Sequence, residues 1–147
     1  MMQGECKEKL RDAGLLWLRV LAGAGMAYHG YGKVFGGWMP KMIGGVGAMG
    51  FPMPSVFAWA AALSEFAGGI LLALGLGTRY AAGFIFITMA VAAFMAHAAD
   101  PLEKKELALA YLTIAGTLAM TGGGRWSLDR KLSCRCSPTA CNEEKRA

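Results

Sequence analysis

Apolar residues are concentrated in four segments of the chain instead of being spread along it. The segments span about residues 13–31, 55–76, 80–99 and 107–123. A helix needs about 20 apolar residues to cross a bilayer, or about 17 with strain, and the first three segments meet that length. The fourth is marginal, because its apolar part ends at Thr121 and only the glycines that follow, or a tilt, would extend it. The pattern predicts an all-α chain with four membrane-spanning helices.

The third segment distinguishes a membrane helix from a soluble one. Between Tyr80 and Ala99 the only polar side chain before His97 is Thr88, whereas a soluble amphipathic helix has a polar residue every three or four positions. The mean hydropathy of +0.39 agrees. We therefore expect an integral membrane four-helix bundle that forms a single domain over residues 1–131, followed by a flexible tail over 132–147.

The links between the segments differ in kind. Residues 75–79 read Gly-Leu-Gly-Thr-Arg, a tight turn that predicts an antiparallel hairpin of the second and third helices. The link between helices 1 and 2 is a Gly/Met-rich outer loop, with seven glycines and four methionines between Gly32 and Pro54. It is too apolar for a solvated loop, so we expect it to lie at the outer membrane surface or to dip back toward the helices.

The distribution of lysine and arginine predicts the orientation. With four spans, one side carries Lys7, Lys9, Arg11, Arg79, Arg125, Arg130, Lys131, Arg135, Lys145 and Arg146, and the other carries Lys33, Lys41, Lys104 and Lys105. The positive-inside rule then places both termini in the cytoplasm, with the chain in the inner (plasma) membrane. A three-span chain gives the same distribution, but the aromatic residue Trp126 just after the fourth segment favours four crossings.

Titratable side chains inside the apolar segments are the candidates for function, because charge in hydrocarbon is costly. Arg19 and Glu65 lie deep, so one interpretation is a structural ion pair that locks two helices. The histidines could equally be interfacial residues satisfied by water. The alternative is one outward-facing pocket built from all four helices, and its candidate residues are Arg19, His29, Lys33, Glu65, His97 and Tyr111.

These residues resemble a known family in their order and spacing. The run comprises Arg19-x3-Gly23, His29-Gly30-x2-Lys33, Glu65-x2-Gly68-Gly69, the 75–79 turn, His97 and Gly-Gly-Gly-Arg-Trp-Ser-Leu-Asp129. Over about residues 15–129 it is similar to the DoxX family of small membrane proteins. The resemblance implies four transmembrane helices. It also implies an association with a terminal quinol oxidase and with thiosulfate:quinone oxidoreduction, in a family many of whose members are labelled oxidoreductases without a defined reaction.

The resemblance makes quinone the suspected ligand, and the catalytic residues remain unknown. A quinol site needs a carboxylate or imidazole to take protons and a cation to hold an oxyanion. The chain has no Cys-x-x-Cys-His haem attachment, and Gly23-Ala-Gly25 lacks the third glycine of a dinucleotide fingerprint. We therefore expect an accessory protein or subunit whose partner, a redox protein, holds the redox centre. Glycine-rich helix faces would also allow a homo-oligomer.

Two sulfur-containing clusters suggest other chemistry. Cys6, Cys134, Cys136 and Cys141 could supply four thiolates to a metal, or they could be unpaired cysteines in a basic tail. The loop methionines Met39, Met42, Met49 and Met53 lie near His29, and such ligands suit Cu(I), which makes a non-enzymatic carrier of a small ligand or metal the alternative function. Membrane lipid accounts for the basic residues, so the isoelectric point near 9.2 does not indicate nucleic acid.

Overall fold

The computed structural model describes residues 2–136 and the side chains of residues 7–133. The described part is helical and has no strand, which confirms the all-α prediction. Its elements are α1 (Met2–Phe35), α2 (Met39–Ala48), α3 (Pro54–Leu74), α4 (Thr78–Val91) with a π-helical turn (Ala92–Ala96), α5 (Leu102–Thr121) and α6 (Leu128–Cys136).

Two helical segments of the described chain are long and apolar enough to cross a membrane. They are Pro54–Leu74 and Thr78–Ala96, and they correspond to the second and third predicted spans. The first helix differs from its predicted bounds, because α1 has 34 residues and begins at Met2. The polar residues before Ala13 are mostly good helix formers, so the helix continues past the apolar segment. At about 1.5 Å per residue it is about 50 Å long.

Helices α1 and α3 pack through small residues and run antiparallel. A Cβ at Gly23 would lie 2.5 Å from the Ala73 nitrogen, and one at Gly69 would lie 2.5 Å from the Ala27 nitrogen. Gly30 contacts the backbone of Phe66 in the same way. Such glycines let two helix backbones approach closely. This contact fixes which residues of α1 and α3 lie at the same level.

The second packing unit joins α3, α4 and α5. Gly75 (φ 72°) and Gly77 (φ 57°) adopt left-handed conformations in the turn between α3 and α4, where glycine carries no steric cost. The core that these helices share with α1 contains the buried side chains Met26, Leu72, Ala82, Ile85, Met89, Ala93, Ala108, Ala115 and Leu118.

The segment predicted as a loop between the first two spans contains the helix α2. Pro40 stands in its first turn, where proline's missing N–H costs nothing. Met39 and Val46, seven positions apart, are buried against Ala58 and Ala62 of α3. That spacing places them on one helix face, so the apolar pattern of this segment is helical. The chain therefore folds back onto α3 here.

Candidate functional site

The carboxylate of Glu65 is buried inside α3 and is paired with Lys33 of α1. The Nζ atom of Lys33 donates a hydrogen bond of 2.6 Å to Oε1 and lies 2.6 Å from Oε2. Glu65 is 1% exposed, whereas the lysine side chain remains 32% exposed. The predicted ion pair of Glu65 with Arg19 is therefore wrong. Glu65 pairs instead with Lys33, which lies near the end of α1.

The register of α1 against α3 explains this pairing. Gly30 lies level with Phe66, while Arg19 lies against Gly75 at the end of α3. Eleven positions separate Arg19 from Gly30, which is about 16 Å along a helix. An arginine side chain cannot extend over that distance. Arg19 and Lys33 thus mark opposite ends of the helices, called here the Arg19 end and the Lys33 end.

The ion pair lies in the wall of a cavity of about 520 Å³. The cavity is enclosed by α2, α3, α4 and the π-helical turn. Its polar lining residues are Lys33, Lys41, Ser64, Glu65, Thr88 and His97, and its apolar ones include Trp38, Met42, Val46, Met49, Phe51, Phe57, Phe84 and Ile87. Apolar walls with a few convergent polar groups are typical of small-molecule sites.

Two hydroxyl groups connect α3 and α4 beside this cavity. The oxygens of Ser64 and Thr88 lie 2.7 Å apart. Each hydroxyl oxygen also lies within hydrogen-bond distance of a carbonyl of its own helix, Ser64 of Ala61 at 2.8 Å and Thr88 of Phe84 at 3.0 Å. Because each hydroxyl has one proton, one of the two donates to the other hydroxyl and the second donates to the carbonyl of its own helix. This contact joins α3 and α4 beside the cavity, and neither residue was among the predicted site residues.

His97 follows the π-helical turn and also lines the cavity. Its Nδ1 lies 2.7 Å from Oδ2 of Asp100, and Lys104 lies 3.5 Å from the other carboxylate oxygen. The hydrogen bond with His97 holds the pKa of Asp100 below its ordinary value. Asp100 was missed in the sequence, where its spacing three residues after a histidine was the available signal. Single π-helical turns occur often at functional sites.

The six residues of the predicted pocket occupy three places. Lys33, Glu65 and His97 line the cavity. His29 and Tyr111 meet between α1 and α5, where their rings are 6.4 Å apart in an edge-on contact. Arg19 is buried at the opposite end, and its Nη2 donates to the Trp126 carbonyl at 2.7 Å. The structure therefore does not bring the six side chains together around one space.

The Arg19 end is closed by the link between α5 and α6 and by the first turn of α6. Asp129 accepts hydrogen bonds from the amides of Gly77 (2.6 Å) and Thr78 (2.8 Å), and its own amide donates to the Gly75 carbonyl at 2.9 Å. Burial by itself raises the pKa of Asp129. The hydrogen bonds that its carboxylate accepts from Thr78 and Gly77, together with the charge of Arg19, lower the pKa by more, so it lies below its usual value. Asp129, the last residue of the Gly-Gly-Gly-Arg-Trp-Ser-Leu-Asp motif, thus attaches α6 to the turn between α3 and α4.

The described residues contain no group of three or more His, Cys, Asp or Glu side chains that could hold a metal ion. The side chains of Cys6, Cys134, Cys136 and Cys141 lie outside the described part, so the thiolate site stays a prediction. The geometry does not support a copper site formed by His29 and the loop methionines, because Met39 is buried among apolar residues and His29 lies at the α1–α5 contact. Met42 and Met49 line the cavity.

Comparison with known proteins gives one family and two relatives. The DoxX family model matches residues 14–98. A Haemophilus influenzae protein described only as uncharacterized is 37% identical over 131 residues, which cover 84% of this chain and 94% of the relative. The inner membrane protein YqjF of Escherichia coli K12 is 33% identical over 135 residues, 86% of this chain and 97% of that protein. No solved structure matches.

Proposed function

The chain belongs to the DoxX family of membrane proteins, and on this basis we propose that it holds a quinone-class ligand in the cavity beside Lys33 and Glu65. It would act as an accessory protein or subunit of an inner-membrane oxidoreductase system that works on quinones or sulfur compounds. The observation that carries the proposal is a buried carboxylate paired with a half-buried lysine in the wall of an apolar cavity of about 520 Å³.

The proposal includes four spans with both termini in the cytoplasm. The proposal is supported by the apolar surface of α1 and α5, the two long helices whose length and composition do not by themselves identify them as membrane spans. Exposed large apolar side chains on α1 and α5 include Trp17, Leu21, Tyr28, Tyr31, Phe35, Leu107 and Met120. A soluble protein rarely exposes so much apolar surface. Contact with lipid acyl chains on all four long helices accounts for it.

The cavity suits a ligand that arrives from the membrane. Three of its apolar lining residues on α3 and α4, Phe57, Phe84 and Ile87, are exposed. We infer that the cavity opens sideways toward lipid as well as toward the Lys33 end. Its volume lies within the roughly 300–1,000 Å³ of small-molecule sites, which accommodates a ring with its attached chain leaving through the opening.

The polar groups provide what such a ring requires. A bound quinone supplies two-electron, two-proton chemistry. The Lys33 ammonium has three N–H donors and only Glu65 as a partner in the described chain, so it can donate a hydrogen bond to a ring oxygen. The Glu65 carboxylate and the His97 imidazole are the groups able to hold a proton there, with Asp100 orienting the imidazole.

The electrons require a second protein. The sequence carries neither a dinucleotide fingerprint nor a covalent haem motif, which supports placing the redox centre on a partner. The glycine-rich contact of α1 with α3 is used within the chain, so partner contact would involve other exposed faces. This arrangement corresponds to an accessory subunit and not to a self-sufficient enzyme.

Ligand identification tests the proposal. The full chain is purified in mild detergent from its own membranes together with its native partners, and bound quinone is extracted and identified by mass spectrometry. We expect quinone in the wild type, loss of most of it in Lys33→Met and Glu65→Gln, and retention in the control Glu103→Gln, whose side chain is exposed in the first turn of α5.

The opposite result has two forms. Absence of every redox ligand in the wild type, with partners present, would overturn the oxidoreductase function. Recovery of a non-redox small molecule that depends on Lys33 would instead establish the alternative, a non-enzymatic carrier. Quinone retained equally by the wild type and both cavity variants would place the ligand elsewhere in the assembly.

A further inference from the structure

A second cavity, of about 250 Å³, lies at the Arg19 end and is lined by Lys9, Asp12, Arg125 and Trp126. Asp12 is 3% exposed. Its Oδ1 accepts the Arg125 amide at 3.3 Å, whereas its Oδ2 is buried and accepts no hydrogen bond from the described residues. A buried carboxylate oxygen without a donor is costly. Asp12 therefore brings an incompletely hydrogen-bonded carboxylate to the wall of this cavity.

Two cations lie beside this carboxylate. The guanidinium of Arg125 is held by Glu8, with Nη1 3.1 Å from the Glu8 carboxylate, and its Nε lies 4.0 Å from Asp12 Oδ2. The structure gives Lys9 no ion pair within residues 7–133. The cavity thus offers two positive groups that can bind an anion, Lys9 and Arg125, and one carboxylate, Asp12, that can accept a hydrogen bond from an N–H group. A ligand with a single sign of charge would satisfy only one of these.

The cavity lies at the level of a membrane–water interface. Trp17, Tyr80 and Trp126 are exposed at the same end of the helices, and tryptophan and tyrosine are enriched at that interface. Asp12 lies seven positions before Arg19 on α1, about 10 Å farther along the axis. That distance places Asp12 and Lys9 among the lipid headgroups if the aromatic side chains mark the edge of the hydrocarbon.

We propose that this cavity binds the headgroup of a phosphoethanolamine lipid. The phosphate lies against Lys9 and Arg125, the primary ammonium pairs with the Asp12 carboxylate, and the acyl chains leave past the Trp126 indole. The volume equals about eight waters at roughly 30 Å³ each, which suits a headgroup of about eight heavy atoms. This inference is independent of the ligand in the larger cavity.

The chemistry also predicts discrimination between lipids. A choline headgroup carries a positive charge but has no N–H to donate to Asp12. A glycerol headgroup keeps the phosphate but has no cation to neutralise the buried carboxylate. Loss of one charge-assisted hydrogen bond corresponds to about a tenfold change in affinity. We therefore expect phosphatidylethanolamine to be retained about tenfold more strongly than the other two lipids.

Native mass spectrometry of the full chain tests the inference. The protein is equilibrated in detergent with phosphatidylethanolamine, phosphatidylcholine and phosphatidylglycerol of identical acyl chains. We expect retained ethanolamine lipid in the wild type and about tenfold less in Asp12→Asn and in Lys9→Ala. The control is Arg11→Ala, which removes one charge from the same stretch of α1 without touching the cavity lining, and it should behave as wild type.

Several outcomes would overturn the inference. Equal retention of the three lipids, stronger retention of phosphatidylglycerol, or an Asp12→Asn variant that still prefers ethanolamine would each do so. Binding of soluble phosphoethanolamine without any binding of the lipid would assign the cavity to a free metabolite instead. Thermal unfolding checks that Asp12→Asn is folded; should it be unfolded, the lipid preference of the wild type and of Lys9→Ala decides.

Discussion

Lys33 and Glu65 are 32 positions apart in the chain, and their charged groups lie 2.6 Å apart in the structure. Glu65 stands near the middle of an apolar helix, so its charge would be uncompensated without the lysine from α1. Breaking a buried pair by removing one partner costs far more than the pair itself contributes. This contact therefore connects the packing of α1 on α3 with the chemistry of the cavity.

Removal of the lysine alone should destabilise the protein. We expect Lys33→Met to lower the free energy of unfolding by about 3 to 5 kcal/mol, because it leaves a buried carboxylate unpaired. The double variant Lys33→Met with Glu65→Gln should regain most of that loss. Thermal unfolding in detergent measures both, with Lys41→Met, a change of the exposed lysine at the cavity rim, as the control. A double variant no more stable than Lys33→Met would contradict the pairing.

The glycine contact between α1 and α3 should not accept a methyl group. A Cβ on Gly23 would lie 2.5 Å from the Ala73 nitrogen and 2.6 Å from the Gly69 oxygen, and backbone atoms cannot move aside locally. We expect Gly23→Ala to cost about 1 to 3 kcal/mol. Gly14→Ala on the same helix, with nothing within 4 Å, should instead stabilise by up to about 1 kcal/mol. Unfolding midpoints that shift in the same direction would refute this packing.

Substitutions at Gly25 and Tyr111 should have strongly non-additive effects on the free energy of unfolding. A Cβ on Gly25 would collide with the tyrosine hydroxyl, whereas the ring carbon behind it lies 3.4 Å away, an ordinary contact. Gly25→Ala should therefore destabilise the wild type but be neutral or stabilising in a Tyr111→Phe background. A double-mutant cycle on unfolding free energies measures the coupling, expected at about 0.5 to 3 kcal/mol. Additive effects would show that α1 and α5 do not meet here.

The attachment at Asp129 should make stability depend on acid pH. A carboxyl whose folded pKa is lowered stabilises the protein above its unfolded pKa, and loses that contribution as the pH falls through the folded pKa. The unfolded value is 3.8, so the unfolding midpoint should drop on acidification below pH 3.8. Asp129→Asn should show a smaller drop and, at neutral pH, a loss of about 0.5 to 2 kcal/mol typical of a lost cap. Glu103→Gln serves as control, and an unchanged acid response in Asp129→Asn would argue against this role.

Four crossings place both termini on one side of the membrane, and the distribution of lysine and arginine predicts that this side is the cytoplasm. Epitope tags placed before Met1 and after Ala147 should both be protected from protease added to intact spheroplasts and become accessible after lysis. A tag in the outer link, between Gly44 and Gly45 on an exposed part of α2, should be cleaved without lysis. Cleavage of only one terminus in intact spheroplasts would show an odd number of spans and overturn the four-span proposal, and cleavage of both would overturn the orientation.

Part of the candidate site could be found from residue type alone. Glu65, Lys33 and His97 stand out because charge is rare inside apolar segments, and all three line the cavity. Asp100 and the Ser64–Thr88 pair were missed. Their importance depends on which neighbours they face across a turn or between helices, and residue type does not encode that.

Which charged side chains pair with each other could not be predicted from the sequence, and the reason is geometric. The sequence placed Arg19 and Glu65 both deep in the apolar region, which allowed them to pair. The glycine contacts set α1 about three turns away from the register that such a pair needs. Likewise, His29 and His97 approach the same end along the chain but lie on different sides of the helices.

The sequence by itself determined that this protein is helical and apolar, because those properties follow from the period and composition of continuous segments, and the order and spacing of its motifs gave the resemblance to the DoxX family. Tertiary structure alone decided that Lys33 neutralises Glu65, that Arg19 holds the C-terminal segment, and that a buried Asp12 faces a second cavity. The physical reason is that ion pairs and cavities depend on the rotation and register of packed helices, and small residues far from the charges fix both.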